Sequence, residues 1–400
     1  MSKFLEISKF LGLQRNTVAV LSMAILIGMG EKMAERFLPI YLIALGGSIL
    51  SIGILNGMDN LLSALYSYVG GYLSDRIGVK RSLFAFNILA IFGFSIVIII
   101  PKWQAVLVGA IFFLSWTAIS LPATLTLIAK VLPMKKRTMG VTMHSLVRRI
   151  PMALGPIFGG LCIGMWGETN GIRVAFVFAI MFAILAIILQ LALLDDEPSS
   201  KVISNNAEKN PFKLFKYMPT TLKQLLISDI LVRFCEQIPY AFVVIWCMKT
   251  IDNPISGFQF GILTSIEMVT AMLIYIPVAY LADKGTKKPF VVITFGFFTF
   301  FPLVLLYSHS FIFLVLAFIL RGLKEFGEPT RKAMIMDISP EHCRAGMFGL
   351  YYLLRDIFVS IAAFGGALLW QISPATNLII AFIFGLIGTL IFMIWGKDQR

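Results

Sequence analysis

Twelve apolar runs dominate this chain, and each is long enough, at about 20 residues, to cross the hydrocarbon core of a bilayer as an α-helix. The helix is the open architecture that satisfies its own backbone polar groups inside lipid. Composition agrees: 58% of the 400 residues are hydrophobic and 14% are charged, where a soluble protein carries roughly 25% charged residues. An all-α membrane protein with twelve transmembrane helices is therefore expected. The spans are placed at 18–44, 49–73, 82–101, 104–132, 139–166, 173–194, 221–249, 257–282, 289–308, 311–337, 346–371 and 375–396.

The short loops set the orientation. Arg76, Lys80, Arg81, Lys135, Lys136, Arg137, Lys284, Lys287, Lys288 and Arg344 fall in alternate loops, and the loops on the other side hold Lys102. The positive-inside rule then puts both termini in the cytoplasm. Residues 1–17 place Phe4, Leu5, Ile7, Phe10 and Leu11 among Lys3, Lys9 and Arg15, which suits a cytoplasmic interfacial helix. No small-residue cleavage site of a secretory signal is evident in that stretch. Residues 195–220 are polar, contain Pro198 and Pro211, and read as a cytoplasmic linker between two six-helix halves, 18–194 and 221–400.

Those halves are repeats. At an offset of 207 or 208, Asp75 meets Asp283, Lys80-Arg81 meets Lys287-Lys288, Pro122 meets Pro329, Arg137 meets Arg344, and Arg148-Arg149 meets Arg355-Asp356. The turn Gly71-Tyr72-Leu73-Ser74-Asp75-Arg76-Ile77-Gly78-Val79-Lys80-Arg81 fits G-x-x-x-D-R-x-G-x-K-R throughout. Its echo, Ala279 to Lys288, is one residue shorter and has Ala279 in place of Gly71. This pair of turns resembles the loop between helices two and three of the major facilitator superfamily and its echo between helices eight and nine.

The resemblance implies two parallel six-helix bundles that rock about a substrate site near the midplane. It further implies that Gly71, Asp75, Arg76, Gly78, Lys80, Arg81, Asp283 and Arg344 form a conformational latch, with Asp75 near the start of helix eleven. A carboxylate there complements a helix N-terminus and can pair with Arg344. Gly71 permits close helix approach and Gly78 a tight turn. Gly155-Pro156-Ile157-Phe158-Gly159-Gly160 resembles the end of a helix-five motif of family antiporters. Two earlier motif glycines are replaced by Thr142 and Pro151, and the Gly155/Gly159 pair by itself argues close packing.

Ionisable groups at bilayer depth are costly and mark ion pairs or solute pathways. Glu31, Lys32, Glu35 and Arg36 lie in the first span, with Pro39 one turn on; Asp59 is in the second. Arg148 and Arg149 are in the fifth span, Arg233 and Glu236 in the seventh, ahead of Pro239, and Glu267 in the eighth. The tenth holds Arg321, Lys324, Glu325, Glu328, Arg331 and Lys332, the first five on one face of a continuous helix. The fourth has Trp116, Ser120 and Thr124 instead, and the eleventh has Arg355 and Asp356. Two expectations compete for these groups. As internal ion pairs, Arg321 joins Glu325, Lys324 joins Glu328, and Arg233 joins Glu236. As a solute site, Lys32, Arg36, Arg149, Arg233, Arg321 and Lys324 bind an anionic or zwitterionic polar solute, since an Arg fork suits carboxylate or phosphate. In the resembled fold, helices one, four, seven and ten supply the cavity.

Proton coupling needs a carboxylate that changes state. Glu35, Glu236, Glu325 and Glu328, each within a turn of a cation, and Asp59 are the candidates; solute competing for the cation releases the carboxylate to take a proton. The three histidines (His144, His309, His342) and four cysteines (Cys162, Cys235, Cys247, Cys343) show no metal-ligand spacing, and no phosphate-binding Gly-rich loop with Lys-Ser/Thr occurs. No metal, cofactor or enzyme chemistry is expected. The net charge of +13 resides mostly in alternate loops, so it marks topology and not nucleic acid. A proton-coupled secondary transporter of a small polar or anionic solute follows, working as a monomer in the lipid bilayer, and chain economy points to a bacterial inner membrane. The alternatives are a proton-driven multidrug antiporter, which the 35 Phe and 19 Met residues permit, and a non-transporting receptor or lipid-handling protein on the same scaffold.

Overall fold

The computed structural model describes residues 15–114, 116, 134–193, 215–283, 286–340 and 344–396. Most of the expected N-terminal segment and linker, the end of the fourth span with Ser120 and Thr124, and His342 and Cys343 lie outside them, as do the side chains of Asp75, Asp283 and Arg344.

The described residues are helical, with no strand among them. In chain order the elements are α1 (Arg15–Glu35), α2 (Leu38–Ala44), α3 (Ile49–Ile77), α4 (Val79–Ile99), α5 (Trp103–Phe113), α6 (Met134–Leu193), α7 (Thr220–Tyr240), α8 (Val243–Ile245), which runs into a π-turn at Trp246–Thr250, α9 (Gly257–Asp283), α10 (Lys288–Leu306), α11 (Phe311–Leu323), α12 (Glu328–Ile338), α13 (Arg344–Ile372) and α14 (Pro374–Trp395). Six stretches among the described residues are long and apolar enough to cross a membrane, and seven when α7 with Val243–Thr250, bent by 43°, is one span. One of the six, Val147–Leu193, runs for 47 residues. It holds the non-helical Gly167, φ 77° and ψ 173°, between the positions expected for spans five and six.

Breaks fall in the spans that carry charge. The first is interrupted at Arg36 and Phe37, just before Pro39. The seventh is interrupted just after Pro239, at Ala241 and Phe242. The tenth, expected as one helix over 311–337, is divided between α11 and α12 by turns at 324–327. Pro329 is the cause: it has no N–H for the carbonyl four residues back, and its ring excludes that carbonyl. Gly327 caps α12, where an added Cβ would stand 2.6 Å from Thr294 Oγ1. Its N–H donates to that same hydroxyl. Between α3 and α4 the turn is the single residue Gly78, at φ 86° and ψ 156°. Only glycine takes that conformation without strain, which is the tight turn expected of it.

The described residues form two compact units. Unit 1 draws on Met1–Ser48, Leu62–Val202 and Ser256–Ser265, and unit 2 on Ile49–Leu61, Ile203–Ile255 and Ile266–Arg400. The two helices divided between units, α3 and α9, start 208 residues apart and are repeat partners.

In unit 1, α1 packs along α6. Gly155 meets Lys32 there, and Gly159 meets the backbone of Met33 so closely that no Cβ fits; this is the close approach expected of the Gly155/Gly159 pair. Tyr41, Phe94, Phe113 and Phe176 form an aromatic core, with Phe94 stacked on Phe113 at 5.0 Å. Beside it runs a neutral polar ladder. Trp116 Nε1 donates to Asn87 Oδ1 (2.7 Å), Asn87 Nδ2 donates to Gln190 Oε1 (3.1 Å), and Gln190 Nε2 donates to the Lys80 carbonyl.

In unit 2, α7, α10, α13 and α14 enclose a core of Leu222, Leu225, Val232, Phe295, Met334, Ile335 and Tyr351. The first turns of α3 join this unit through Asn56 and Asn60, whose amides donate to the backbone and side-chain carbonyls of Gln237 at 3.2 and 3.3 Å. Cys162, Cys235 and Cys247 are buried free thiols.

Candidate functional site

Asp229, Arg233 and Glu236 follow one another at spacings of four and three along α7, so they share one face. Three other elements bring charges to that face. Glu267 comes from α9 and Arg321 from α11; Lys324 stands in the break, and Glu328 and Arg331 lie on α12. Carboxylates and cations alternate along the resulting chain of contacts. Arg321 Nε lies 3.4 Å from Glu267 Oε1, and Lys324 Nζ lies 3.3 Å from that same oxygen. Lys324 Nζ also donates to Glu236 Oε1 at 2.8 Å. Glu236 Oε2 accepts from Arg233 Nη1 at 2.7 Å, and Arg233 Nη2 donates to Glu328 Oε2 at 3.0 Å. Glu328 takes a two-pronged contact from Arg331 Nη2, at 2.7 and 2.9 Å. Arg331 Nη1 donates to Asp229 Oδ2, and Asp229 Oδ1 closes a ring 3.7 Å from Arg233 Nε.

Burial makes this arrangement consequential. Arg331 and Asp229 are 0% exposed, Glu267 1% and Arg321 3%. Unpaired charges at that depth are prohibitive, and paired ones persist only when each finds partners. Four carboxylates and four cations meet here, and each interior member of the chain has two opposite charges in reach. Tyr351, from α13, donates its hydroxyl to Asp229 Oδ2 at 3.0 Å. Arg355 stacks on Tyr352 at 4.3 Å and bonds Asp356 at 2.7 Å.

One end of the chain opens on a small cleft. Glu236, Arg321 and Lys324 line it together with Phe297, Phe298 and Phe301, around a cavity of about 10 Å³, the room of a single water. The cations lie over the aromatic faces: Arg321 is 5.1 Å from Phe301 and Lys324 is 5.8 Å from Phe298. The electron-rich ring faces partly replace water around these charges.

Of the residues predicted as a site, the structure gathers Arg233, Arg321, Lys324, Glu236 and Glu328 into this one network. Glu325 stands half-buried in the break, and Asp59 is half-buried on α3. Lys32, Glu35, Arg36 and Arg149 belong to unit 1. There Lys32 bonds Glu31 at 3.0 Å and also Glu35, while Arg36 lies between α1 and α2 and Arg149 on α6, both half-buried. Among the latch residues, Gly78 forms its turn, the Lys80 carbonyl ends the polar ladder, Arg76 lies exposed over Tyr72 at 5.4 Å, and Arg81 is exposed. Gly71 lies within α3; the side chains of Asp75, Asp283 and Arg344 lie outside the described residues. Lys287, in the echo of the turn, pairs with Asp337 of α12.

The pairings differ from those expected within single helices. Arg233 does join Glu236, but Arg321 meets Glu267 of α9, Lys324 meets Glu236 and Glu267, and Glu328 meets Arg233 and Arg331. The break at 324–327 removes the helical register on which i,i+4 pairing in span ten depends. Asp229, Glu267, Arg331 and Tyr351 join the site beyond the predicted set. The readable signal for Asp229 was its four-residue spacing to Arg233.

The family model of the Major Facilitator Superfamily matches residues 20–251 and again 225–400. The chain belongs to the major facilitator superfamily. It is an MFS-type transporter and an integral, multi-pass membrane protein. An uncharacterized MFS-type transporter of Methanocaldococcus jannaschii is 23% identical over 390 residues, which cover 91% of each chain. Solved family structures share the fold. The nucleoside transporter NupG superposes with a TM-score of 0.78 at 16% identity, covering 95% of this chain and all of that one. A peptide transporter POT in complex with sulfate gives 0.76 at 14%, covering 95% and 93%. A D-xylose-proton symporter gives 0.73 at 14%, covering 96% and 98%.

Proposed function

We propose that this MFS member is a proton-coupled secondary transporter of a small polar solute bearing an anionic group, with its solute and coupling residues in the charged chain of unit 2. The observation that carries the proposal is the alternation of buried carboxylates and cations, with Glu236, Arg321 and Lys324 facing a cleft. A purely structural ion pair needs one partner per charge. Here Lys324 is shared by Glu236 and Glu267, and Arg233 by Glu236 and Glu328. A solute carboxylate or phosphate entering the cleft competes for Arg321 and Lys324, and a carboxylate set free is available to a proton. Glu236, Glu267 and Glu328 are the coupling groups in unit 2, and Glu35, beside Lys32, is a further one in unit 1. Family neighbours that move nucleosides, peptides and xylose with protons support a polar cargo.

The surrounding scheme is twelve helices in two six-helix halves, both termini cytoplasmic, working by alternating access with the Gly71–Arg81 turn and Arg344 as latch. The two divided, repeat-related helices and the basic alternate loops support it.

The test is uptake into proteoliposomes under an imposed pH gradient, with radiolabelled carboxylates, amino acids, sugars and lipophilic cations offered in turn. The proposal expects accumulation of an anion-bearing solute, collapsing when a protonophore is added. Accumulation of lipophilic cations alone favours the multidrug antiporter, for which the wall of Phe297, Phe298 and Phe301 is the supporting feature. Binding without flux or counterflow identifies a receptor.

A further inference from the structure

We propose that the cleft of unit 2 takes an amino-carboxylate zwitterion carrying an apolar side group, its carboxylate on Lys324 and Arg321 and its ammonium on Glu236. The inference rests on the proposed transport function and narrows its substrate class. Its basis is the Lys324–Glu236 pair itself. An ammonium and a carboxylate meet there at 2.8 Å across the cleft, one from the break in span ten and the other from α7. That contact is an internal copy of the two pairs a zwitterion would make. When the pair parts, the ligand's carboxylate takes the place of Glu236 at Lys324, and its ammonium takes the place of Lys324 at Glu236.

Neither side chain is orphaned by parting. Lys324 keeps Glu267 at 3.3 Å, and Glu236 keeps Arg233 at 2.7 Å. Each therefore has a second tether about which it can swing, and the 10 Å³ cavity enlarges by that swing. A simple anion restores only the Lys324 side and leaves Glu236 Oε1 facing the cleft without its ammonium donor. A simple cation restores only the Glu236 side. A half-restored buried charge pair is far worse than an intact one, so single-charge ligands are disfavoured against the closed cleft. The third wall is apolar: Phe297, Phe298 and Phe301 offer no hydrogen-bonding side chain and suit an aliphatic or aromatic group. Glu267 lies behind Arg321 and Lys324, within 3.4 Å of both, and acts as a positioning residue for the two cations.

The experiment is thermal unfolding of the purified full-length protein at low salt. The probes are leucine, phenylalanine and a dipeptide of the two, each compared with its N-acetyl form, an anion, and its amide, a cation. Binding to the folded state raises apparent stability by mass action. At least one zwitterion is expected to raise the melting temperature, with both of its blocked forms at least tenfold weaker, and Glu236→Gln or Lys324→Gln is expected to abolish the shift. The double variant Glu236→Gln/Lys324→Gln removes both charges together. It is expected to stay folded and to be blind to the zwitterion, so loss of fold is not mistaken for loss of the site. Equal stabilisation by an N-acetyl form overturns the zwitterion assignment and leaves an anion carrier standing. No shift from any zwitterion, or an undiminished shift in the double variant, overturns it outright. Binding as predicted without pH-driven uptake would instead remove the coupling half of the transport proposal.

Discussion

The polar interiors of the two units solve the same problem by different means. In unit 1, Trp116, Asn87 and Gln190 form a ladder of neutral hydrogen bonds that ends on the Lys80 carbonyl. In unit 2 the residue one repeat on from Asn87 is Thr294, which bonds the backbone N–H of Gly327 at the break in span ten. The polar work is done there by ion pairs that cross α7, α9, α11, α12 and α13. The ladder's amides each have a fixed geometry, so it braces. The ionic chain is different because its members have more than one opposite charge in reach and can trade partners at small cost. An alternating-access protein needs both kinds of interior, and its repeat ancestry did not require both halves to carry the same one.

The largest expected effect breaks the ionic chain at its deepest point. Arg331→Gln leaves the fully buried Asp229 short of its principal partner, which should cost about 3–5 kcal/mol of stability. A large drop in melting temperature checks it, and an unchanged melt would mean that Asp229 is satisfied otherwise. Asn87→Leu in the neutral ladder should cost about 1–2 kcal/mol, leaving the Trp116 indole N–H without its acceptor. Uptake by this variant should keep the wild-type pH profile, and a shifted profile would contradict the division between brace and exchanger. Smallest of all is Lys332→Gln. Its side chain is 48% exposed and lies 3.6 Å from Glu328, so the loss should stay below about 1 kcal/mol, within the scatter of a thermal melt.

Much of this was legible in the chain. A charge inside an apolar run is conspicuous, and Arg233, Glu236, Arg321, Lys324 and Glu328 were found that way. Gly78 announced its turn because no other residue fits that spacing of helices. Asp229 was harder, since it follows Lys223 and Gln224 near the start of span seven, where polar residues at a membrane edge attract no notice. The break in span ten was hidden because Pro329 served as the repeat partner of Pro122 and its effect on the helix was passed over. The pairings themselves were out of reach. Spacing rules report neighbours on one helix, whereas Arg321 with Glu267 and Arg233 with Glu328 are decided by how separate helices pack.

The central claim is that the ionic chain exchanges partners to couple solute to protons, and Glu267 is where it is most exposed to test. Solute at Arg321 and Lys324 competes with this carboxylate for both of its cations. Glu267→Gln keeps the size of the side chain and cannot take up the proton. In proteoliposomes, the account predicts that this variant still exchanges labelled solute in counterflow but loses its pH-gradient-driven accumulation. Accumulation at the wild-type level by Glu267→Gln would contradict it.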